Sequence, residues 1–410
     1  MNAVGIDVSK GYSTIAIMQP LGVVVASPYE VKHTNSELSE LARKLKKLKG
    51  ETKVVMECTG NYHLPIANTL HAAGLYVSAV NPQLTHEYGN NSIRKSRNDK
   101  TDSLKMANYA LSNWLKLPKY IPEEDIRHML KAYSRQYSKY CKIKTMLTNN
   151  LIALLDQTFP GVNELFTSPP RKRDGHEKWL DFSSYFWHCE CVSSLSPKVF
   201  FERYRKWCKR EGYYFGQAKA DKVYAAACGQ VSVISQNDIS KLLITQAIAQ
   251  VNAMSETIAI VAAEMKRLAS LLPEYPVAIA FYGVGEILGP QLMAEVGDIY
   301  RYPKKSSIVR FAGLEPVENQ SGKFSGKESI SKQGSPHLRK TLFQIMDCVL
   351  TNAPADEPIF QFLDRKRAEG KNYYSYMCAG AAKFLRIYYA RVKEYLDGLY
   401  DESRRIEPHG

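Results

Sequence analysis

An apolar segment close to the start of the chain ends on a single carboxylate. Residues 3–9 read Ala-Val-Gly-Ile-Asp-Val-Ser, a pattern that predicts a buried strand carrying Asp7. Burial of an unpaired carboxylate is costly, so Asp7 is expected to lie in a cleft, bind a metal or pair with a cation. Any fold for this chain must therefore provide a polar site at the end of its first strand.

Three further acids resemble Asp7 in having no obvious structural task. A second apolar strand, residues 53–57, also ends on a carboxylate, Glu57. Asp99 and Asp102 are three positions apart, which places them on one face of a helical turn. Together the four acids predict a divalent-metal site.

The charge balance favours a polyanionic partner. The 410 residues contain 55 Lys and Arg against 41 Asp and Glu, a formal net charge of +14. Such an excess favours nucleic acid first, and plain solubility is the alternative interpretation. Basic residues also lie beside the acids, where Arg94, Lys95 and Arg97 are expected to hold a phosphodiester over the metal or to form a solvated face.

Composition further predicts a cytoplasmic protein with two or three domains. The apolar runs fall far short of the ~20 residues of a membrane span, and the chain enters a strand without a secretion signal. The eight cysteines are therefore expected to be reduced thiols. His188, Cys189 and Cys191 form only a weak zinc motif, because no second pair follows at a suitable spacing.

The order of elements in residues 1–122 predicts an α/β domain. Three meandering strands are followed by a helix with a leucine stripe, the strand 54–57, a second helix ending at Ala73, and the strand 76–80. This is the order of the ribonuclease-H-like fold. In that fold the first strand carries an Asp and the strand after the first helix carries a second acid.

Two long helices are predicted next, over residues 123–159 and 238–272. Apolar residues in the second alternate at spacings of three and four, which predicts a coiled-coil seam. The helices are expected to pair with each other, with another subunit, or both, and plain bundle core is the alternative. The predicted seam is Ile244, Ala247, Val251, Met254, Ile258, Val261, Met265, Leu268 and Leu272.

The insert between these helices, residues 160–237, mixes aromatic and basic residues. Such mixing is typical of nucleic-acid binding, but aromatic residues also build small cores. Our interpretation is that most of the aromatic side chains form a core and that the basic face binds.

The remainder, residues 271–395, is predicted to be mainly helical and to end in a polar tail, 396–410. Gly283 and Gly285 precede an apolar helix as in a helix-hairpin-helix element, whose backbone N–H groups receive phosphate. Glycine is common in any tight turn, so this signal is weak. Residues 300–340 carry nine basic side chains around a flexible Ser- and Gly-rich segment that contains Ser321. In this basic setting the segment is expected to bring a hydroxyl onto phosphate, and a plain surface loop is the alternative interpretation. The residues predicted to contact nucleic acid here are Gly283, Gly285, Lys323, Lys327, Lys332 and Arg339.

Two sets of motifs resemble a known family. The segments 5–10, 56–60, 81–82 and 99–103, with Gly283-Val-Gly285, Phe311-Ala-Gly-Leu314 and Ser321-Gly322 further on, resemble the DEDD transposases of the insertion-sequence-110 family. The pilin-gene invertase type is part of that family. The resemblance implies a RuvC-like amino-terminal domain and a serine-bearing carboxy-terminal domain.

The resemblance also implies the chemistry and the partners. Asp7, Glu57, Asp99 and Asp102 would bind Mg²⁺, and Ser321 would attack a phosphodiester of donor or target DNA to form a covalent link. A structured noncoding RNA would guide a homo-oligomer, a dimer or tetramer, to its target in the nucleoid. An alternative alignment that starts the third motif at Lys100 would put Lys105 at the fourth acid position.

Three other functions compete with that of a recombinase. The first is a RuvC-like metal-dependent nuclease without serine chemistry. The second is a sugar-kinase or actin-like ATPase, which needs a second phosphate loop that the sequence lacks. The third is a nucleic-acid-binding protein without chemistry, which leaves the four acids unexplained.

The long helices also bear on where the serine comes from. A long paired helix is a stiff spacer, which would hold the serine-bearing domain away from the acids of the same chain. We therefore expect the serine to come from a partner subunit.

Overall fold

The computed structural model describes residues 1–58, 60–82, 84–85, 98–171, 175–317, 320–321, 324–325 and 329–406, without the side chains of 320–321, 324–325 and 402–406. The chain forms two compact units, Met1–Pro122 and Glu123–Gly410. Among the described helices, none has the length and apolar character needed to cross a bilayer.

The first unit is a mixed sheet with helices, as predicted. Its elements are β1 (Asn2–Val8), β2 (Tyr12–Gln19), β3 (Val23–Lys32), α1 (Asn35–Lys46), β4 (Thr52–Glu57), α2 (Leu64–Ala72), β5 (Tyr76–Val80) and α3 (Asp99–Ser112). The strand order is β3-β2-β1-β4-β5. The three amino-terminal strands are antiparallel, whereas β1, β4 and β5 are parallel.

Alternation along β1 and β4 separates two cores. Val4 and Ile6 belong to the core that includes residues of α1 and α2. Ala3 and Val55 belong to a second core that includes residues of α3. Because side chains alternate between the faces of a sheet, Asp7 and Glu57 share the face on which α3 lies.

Gly5 lets α3 lie directly on the sheet. A Cβ at this position would lie 2.1 Å from the carbonyl oxygen of Ser103 and 2.3 Å from the amide nitrogen of Ala107. No other residue fits such a close approach of two backbones. This contact fixes the height of α3 above β1, and therefore the position of the acids at the start of the helix.

The second unit begins with a long antiparallel hairpin of α4 (Asp125–Leu155) and α9 (Asp238–Ser270). Leu130, near the start of α4, shares a core with Met265 near the end of α9. Leu155, at the end of α4, shares another core with Ile244 near the start of α9. Both helices agree with the prediction, and within one chain they pair with each other.

The insert at the far end of this hairpin is a small helical body. It contains α5 (Lys178–Tyr185), α6 (Glu190–Ser193), α7 (Pro197–Glu211) and α8 (Gln217–Gly229). Phe182, Phe200, Tyr204 and Trp207 are at most 2 % exposed. The interpretation that most of the insert's aromatic residues form a core is therefore confirmed.

The remaining elements form a helical body with two short ribbons. They are α10 (Tyr275–Ile279), α11 (Leu288–Val296), α12 (Lys305–Phe311), β6 (Pro316–Val317), β7 (Gln320–Ser321), β8 (Phe324–Ser325), β9 (Ser329–Ile330), α13 (Pro336–Asn352), α14 (Pro358–Ala368) and α15 (Tyr373–Ile406). The start of α4 is anchored to this body by buried Arg127, which pairs with the equally buried Glu274. Short 3-10 turns lie at Pro20–Gly22, Val162–Leu165 and Ile299–Arg301.

Candidate metal centre

Asp7 and Glu57 lie at the same edge of the sheet. The parallel strands β1 and β4 pair Ile6 with Met56, so the next residues in register are these two acids. β5 continues the edge, because Glu57 is paired with Val80. The carboxyl ends of three parallel strands therefore meet where the two carboxylates lie.

Asp99 and Asp102 are brought to this edge by the first turn of α3. The side chain of Asn98 accepts a hydrogen bond of 2.7 Å from the backbone N–H of Thr101, which fixes the start of the helix. Acidic side chains in a first turn are also stabilised by the helix dipole. Both contributions help to keep two carboxylates in this turn.

The other three acids all raise the pKa of Asp7. Its pKa is raised to about 6, first by burial and then by the negative charges of Asp99, Asp102 and Glu57. A hydrogen bond from the backbone N–H of Val8 acts in the opposite direction. The four acids thus belong to one electrostatic environment, in which every ionised neighbour makes ionisation of Asp7 harder.

Carboxylate oxygens are the donors that hard divalent cations prefer, so the donor set fits such an ion. Even so, no group of three or more His, Cys, Asp or Glu side chains in the described part of the chain is close enough to hold a metal as it stands. The four acids are neighbours without forming a closed set of ligands, and their side chains would have to close around an ion.

Within the described ranges, the side chains of Thr85 and Lys105, which are outside the predicted set of acids, donate hydrogen bonds to this site. Thr85 is 9 % exposed and donates a hydrogen bond of 2.5 Å to Oε1 of Glu57. Lys105 donates one of 2.8 Å to Oδ1 of Asp102. Thr85 lies shortly after β5, at the edge of the sheet where Glu57 also lies. Its position after a strand that neighbours β4 is the feature from which its contact with Glu57 could have been predicted.

The two alignments of the third motif differ in whether Asp102 or Lys105 belongs to the acidic site, and the surroundings of both residues are described. Asp99 is the strongest of the charges that act on Asp7, and Asp102 is the next. Lys105 instead pairs with Asp102. Arg94, Lys95 and Arg97, the basic residues expected beside the acids, lie outside the described residues.

The weak zinc motif of the insert has another explanation. His188 Nε2 lies 2.9 Å from the carbonyl oxygen of Ile234, and its Nδ1 accepts a hydrogen bond of 3.1 Å from the backbone N–H of Glu190. Both ring nitrogens are therefore engaged with the backbone, which leaves none for a metal.

Ser321 lies in a short strand, whereas the sequence predicted a flexible segment without regular structure. β7 pairs with β8, with Ser321 opposite Phe324, and the ribbon β6–β9 encloses this pair in sequence. Backbone pairing overrides the preference of the Ser- and Gly-rich sequence for irregular chain. Lys323 and Lys327 lie outside the described residues.

Three more residues predicted to contact nucleic acid, Gly283, Gly285 and Arg339, lie in different structural environments. A Cβ at Gly283 would lie 2.8 Å from the side chain of Val349, so this glycine is required by packing against α13. Gly285 is exposed, and a Cβ there would meet no atom within 4 Å. Arg339 donates through one nitrogen to the carbonyl oxygens of Ala312 and Lys332. The predicted contact of these residues with nucleic acid stays a prediction.

Comparison with known proteins gives two family matches on the chain. Residues 4–160 match a family of DEDD transposases of the IS110 type, described as "Transposase". Residues 279–359 match the "Transposase IS116/IS110/IS902 family". The intervening residues, 161–278, belong to neither match.

Relatives of known description are similar over part of their length. The pilin gene-inverting protein of Moraxella bovis is 30% identical over 132 residues, which are 32% of this chain and 38% of that protein. An uncharacterised 42 kDa protein of insertion element IS900 from Mycobacterium paratuberculosis is 28% identical over 120 residues, 29% of each chain. The match thus spans less than two fifths of either relative. With both family matches in the same order on one polypeptide, the chain belongs to the IS110 family of transposases.

Proposed function

We propose that this protein is a DNA recombinase that cuts and rejoins strands at an insertion element. The observation that carries the proposal is the assembly of Asp7, Glu57, Asp99 and Asp102 at one sheet edge, where three of them raise the pKa of the fourth. The strand order and the helix on the Asp7 face fit a RuvC-like domain. Four carboxylates without an ion repel one another, which gives the protein a reason to bind a cation there.

Mg²⁺ is the ion that we assign to this site. When bound, it would polarise a phosphodiester and stabilise the departing oxygen. The four acids would hold it through their oxygen atoms, while Thr85 orients Glu57 and Lys105 balances part of the charge of Asp102. The contact with Thr85 supports the assignment of Glu57 as a ligand, because carboxylates that bind a metal are commonly oriented by such hydrogen bonds.

Ser321 is assigned as the nucleophile on the strength of the family motif. Its Oγ would form a bond to phosphorus as the hydroxyl loses its proton, and the departing deoxyribose oxygen would take up a proton. The phosphodiester bond energy is then kept in a phosphoserine, so reversal with another strand end rejoins DNA without ATP. A serine needs activation to act in this way.

The partners complete the proposal. Donor and target DNA are the substrates, a structured noncoding RNA supplies the guide, and a homo-oligomer performs the exchange. Because the IS110 relatives include a protein described as inverting a pilin gene, recombination at defined sequences is the activity to look for.

The decisive experiment separates cutting from joining. Purified wild type, Asp7→Asn and Ser321→Ala are incubated with element-end DNA, the noncoding RNA that flanks the gene and Mg²⁺. Wild type should give a covalent protein–DNA product and joined strands, and both variants should give neither. Glu40→Gln, at an exposed carboxylate that pairs with Lys44, is the matched control and should behave as wild type.

The second candidate is a RuvC-like nuclease, which the four acids alone would support. It predicts that Ser321→Ala still cuts DNA but leaves no covalent product, whereas Asp7→Asn is inactive. That result would overturn the serine mechanism while retaining the metal site.

A further inference from the structure

Helix α7 of the insert has two sharply different faces. Phe200, Tyr204, Trp207 and Cys208 are buried in the insert's core. The opposite face carries exposed basic side chains, and at ~100° per residue they fall within one half of the helix circumference. They are Lys198, Arg203, Arg205, Lys206, Lys209 and Arg210.

Two of these side chains already have intramolecular roles. The guanidinium of Arg205 lies 4.6 Å from the ring centre of Phe215. Arg210 lies 4.9 Å from the ring centre of Tyr185 and also pairs with Glu211. Both contacts are cation–π interactions that stabilise the insert itself.

The other four have no such role in the part of the chain that the structure describes. There, none of Lys198, Arg203, Lys206 and Lys209 forms an ion pair, although Glu202 lies on the same face. Among these four, Arg203, Lys206 and Lys209 follow one another at spacings of three positions, so they are neighbours on the helix surface. Like charges at this spacing destabilise a helix. The fold therefore keeps a costly row of positive charges that it does not use.

We propose that this face of α7 binds the phosphate backbone of duplex DNA. A rigid helix with basic side chains spread over ~18 Å suits the regular phosphates of a double helix. Single-stranded DNA would require exposed aromatic side chains for base stacking, whereas the aromatic residues of α7 are buried in the core or, as Phe201, packed against it. The choice of DNA over RNA rests on the proposed recombinase function.

The contact carries no sequence information of its own, because Lys and Arg on phosphate position a protein without reading bases. Residues 161–278, which include α7, lie outside both family matches. Phosphate contacts at this surface would lengthen the footprint of the protein on the duplex.

The test is a neutralised α7 in the full-length protein. Lys198, Arg203, Lys206 and Lys209 are all replaced by Gln, which relieves the repulsion along the helix and should not lower thermal stability. Affinity for a mixed-sequence DNA duplex is measured between about 0.05 and 0.2 M salt. We expect binding to weaken about tenfold or more, equally for several sequences. The slope of log affinity against log salt should become shallower by about 0.9 for each lost phosphate contact.

A matched control removes the same charge elsewhere. Arg365, Lys366, Arg367 and Lys371, in and after α14, are replaced by Gln; the first three form ion pairs with Asp364 or Glu369. This control should keep wild-type affinity for the duplex. Should the quadruple α7 variant lose its helical signal, Lys206→Gln with Lys209→Gln is used, and about half of the change in slope is expected.

Three results would overturn the proposal. They are unchanged DNA affinity in the folded α7 variant, an equal loss in the α14 control, and a loss confined to a duplex RNA of the same length. Repeating the four α7 replacements in an Asp7→Asn background tests the two inferences separately, because that background should stop recombination while the α7 replacements still weaken duplex binding by the same factor. A protein that binds DNA through α7 yet never recombines it would refute the proposed function and leave this surface standing.

Discussion

The pKa of Asp7 gives the acidic site a signature that can be measured without DNA. In the folded protein this pKa is about 6, against an ordinary value of 3.8, so the folded state holds the proton more tightly than the unfolded chain does. The free energy of unfolding of the metal-free protein should therefore fall as the pH rises from about 4 to about 6 and level off above it.

Asp7→Asn should remove this dependence and stabilise the metal-free protein at neutral pH. A shift of two units corresponds to roughly 3 kcal/mol, and screening of a half-buried group reduces the expected gain to about 1–2 kcal/mol. Urea unfolding with a chelator at pH 4.5 and 7 measures it. Glu30→Gln, at an exposed acid, should keep the wild-type slope, and a slope that persists in Asp7→Asn would contradict the assignment.

Thr85 should act as a positioning residue through its hydrogen bond to Glu57. Loss of a contact that orients a metal ligand typically costs 10–100-fold in metal affinity or activity. Thr85→Val should therefore raise the Mg²⁺ concentration needed for half-maximal DNA cutting by about tenfold, while Thr85→Ser restores it. A purely structural role would instead lower thermal stability and leave the Mg²⁺ requirement unchanged.

Between neighbouring elements, Gly5 connects the sheet to the acids on α3. Gly5→Ala forces the backbone of α3 away from β1, because the new Cβ would overlap the main chain at Ser103 and Ala107. Overpacking of this kind costs about 1–3 kcal/mol. We expect at least that loss of stability, together with weaker Mg²⁺ binding as Asp99 and Asp102 move from Asp7.

Gly229→Ala provides the control, since a Cβ there meets no atom within 4 Å. The two variants are compared by urea unfolding and by Mg²⁺ titration. If Gly5→Ala unfolded like wild type, the close contact between β1 and α3 would not be what positions the acids.

The elements themselves were largely predictable, because strong periodicity marks β1, β4, α4 and α9. The residues buried in the middle of the hairpin could not be predicted in this way. There Ile248 and Ser255 are buried, whereas the predicted seam residues Ala247, Met254 and Ile258 are only half buried. Ser255 can be buried because its hydroxyl donates to the carbonyl oxygen of Val251. Apolar spacing alone does not report such a local hydrogen bond.

The acidic site was partly predictable for a related reason. Carboxylates at the ends of apolar strands stand out in a sequence, and Asp7 and Glu57 were found in this way. Thr85 was not, since a threonine gains its role only from the pairing of β4 with β5, which juxtaposes distant segments. The ribbon that holds Ser321 was missed because its two-residue strands are too short for any period.

For the whole molecule, the long helices do not act as the stiff spacer that favoured a partner's serine. Instead, α4 and α9 run antiparallel, and the chain returns to the end from which it started. A site shared between subunits stays a prediction without that support.

Complementation measures it directly. Asp7→Asn and Ser321→Ala proteins are each inactive by expectation, and they are mixed under conditions that allow subunit exchange. A shared site regains up to about a quarter of wild-type activity in a random dimer, because only some sites receive both intact parts. Activity no higher than that of either parent alone would place both groups in one subunit, provided that tagged subunits are seen to exchange.

Because the antiparallel hairpin brings the chain back to its base, it also limits how the lengths of α4 and α9 can change among related proteins. Each arm is a helix of about 30 residues, so the tip lies ~45 Å from the base. Equal additions to both arms move only the tip, while the base, where residues 123 and 272 enter and leave, keeps its geometry. An addition to one arm alone would rotate one helix against the other by ~100° per residue and break the shared core. Lengths in this region should therefore drift in matched pairs over evolutionary time, and a foreign domain grafted at the tip should be tolerated far better than one grafted midway along an arm.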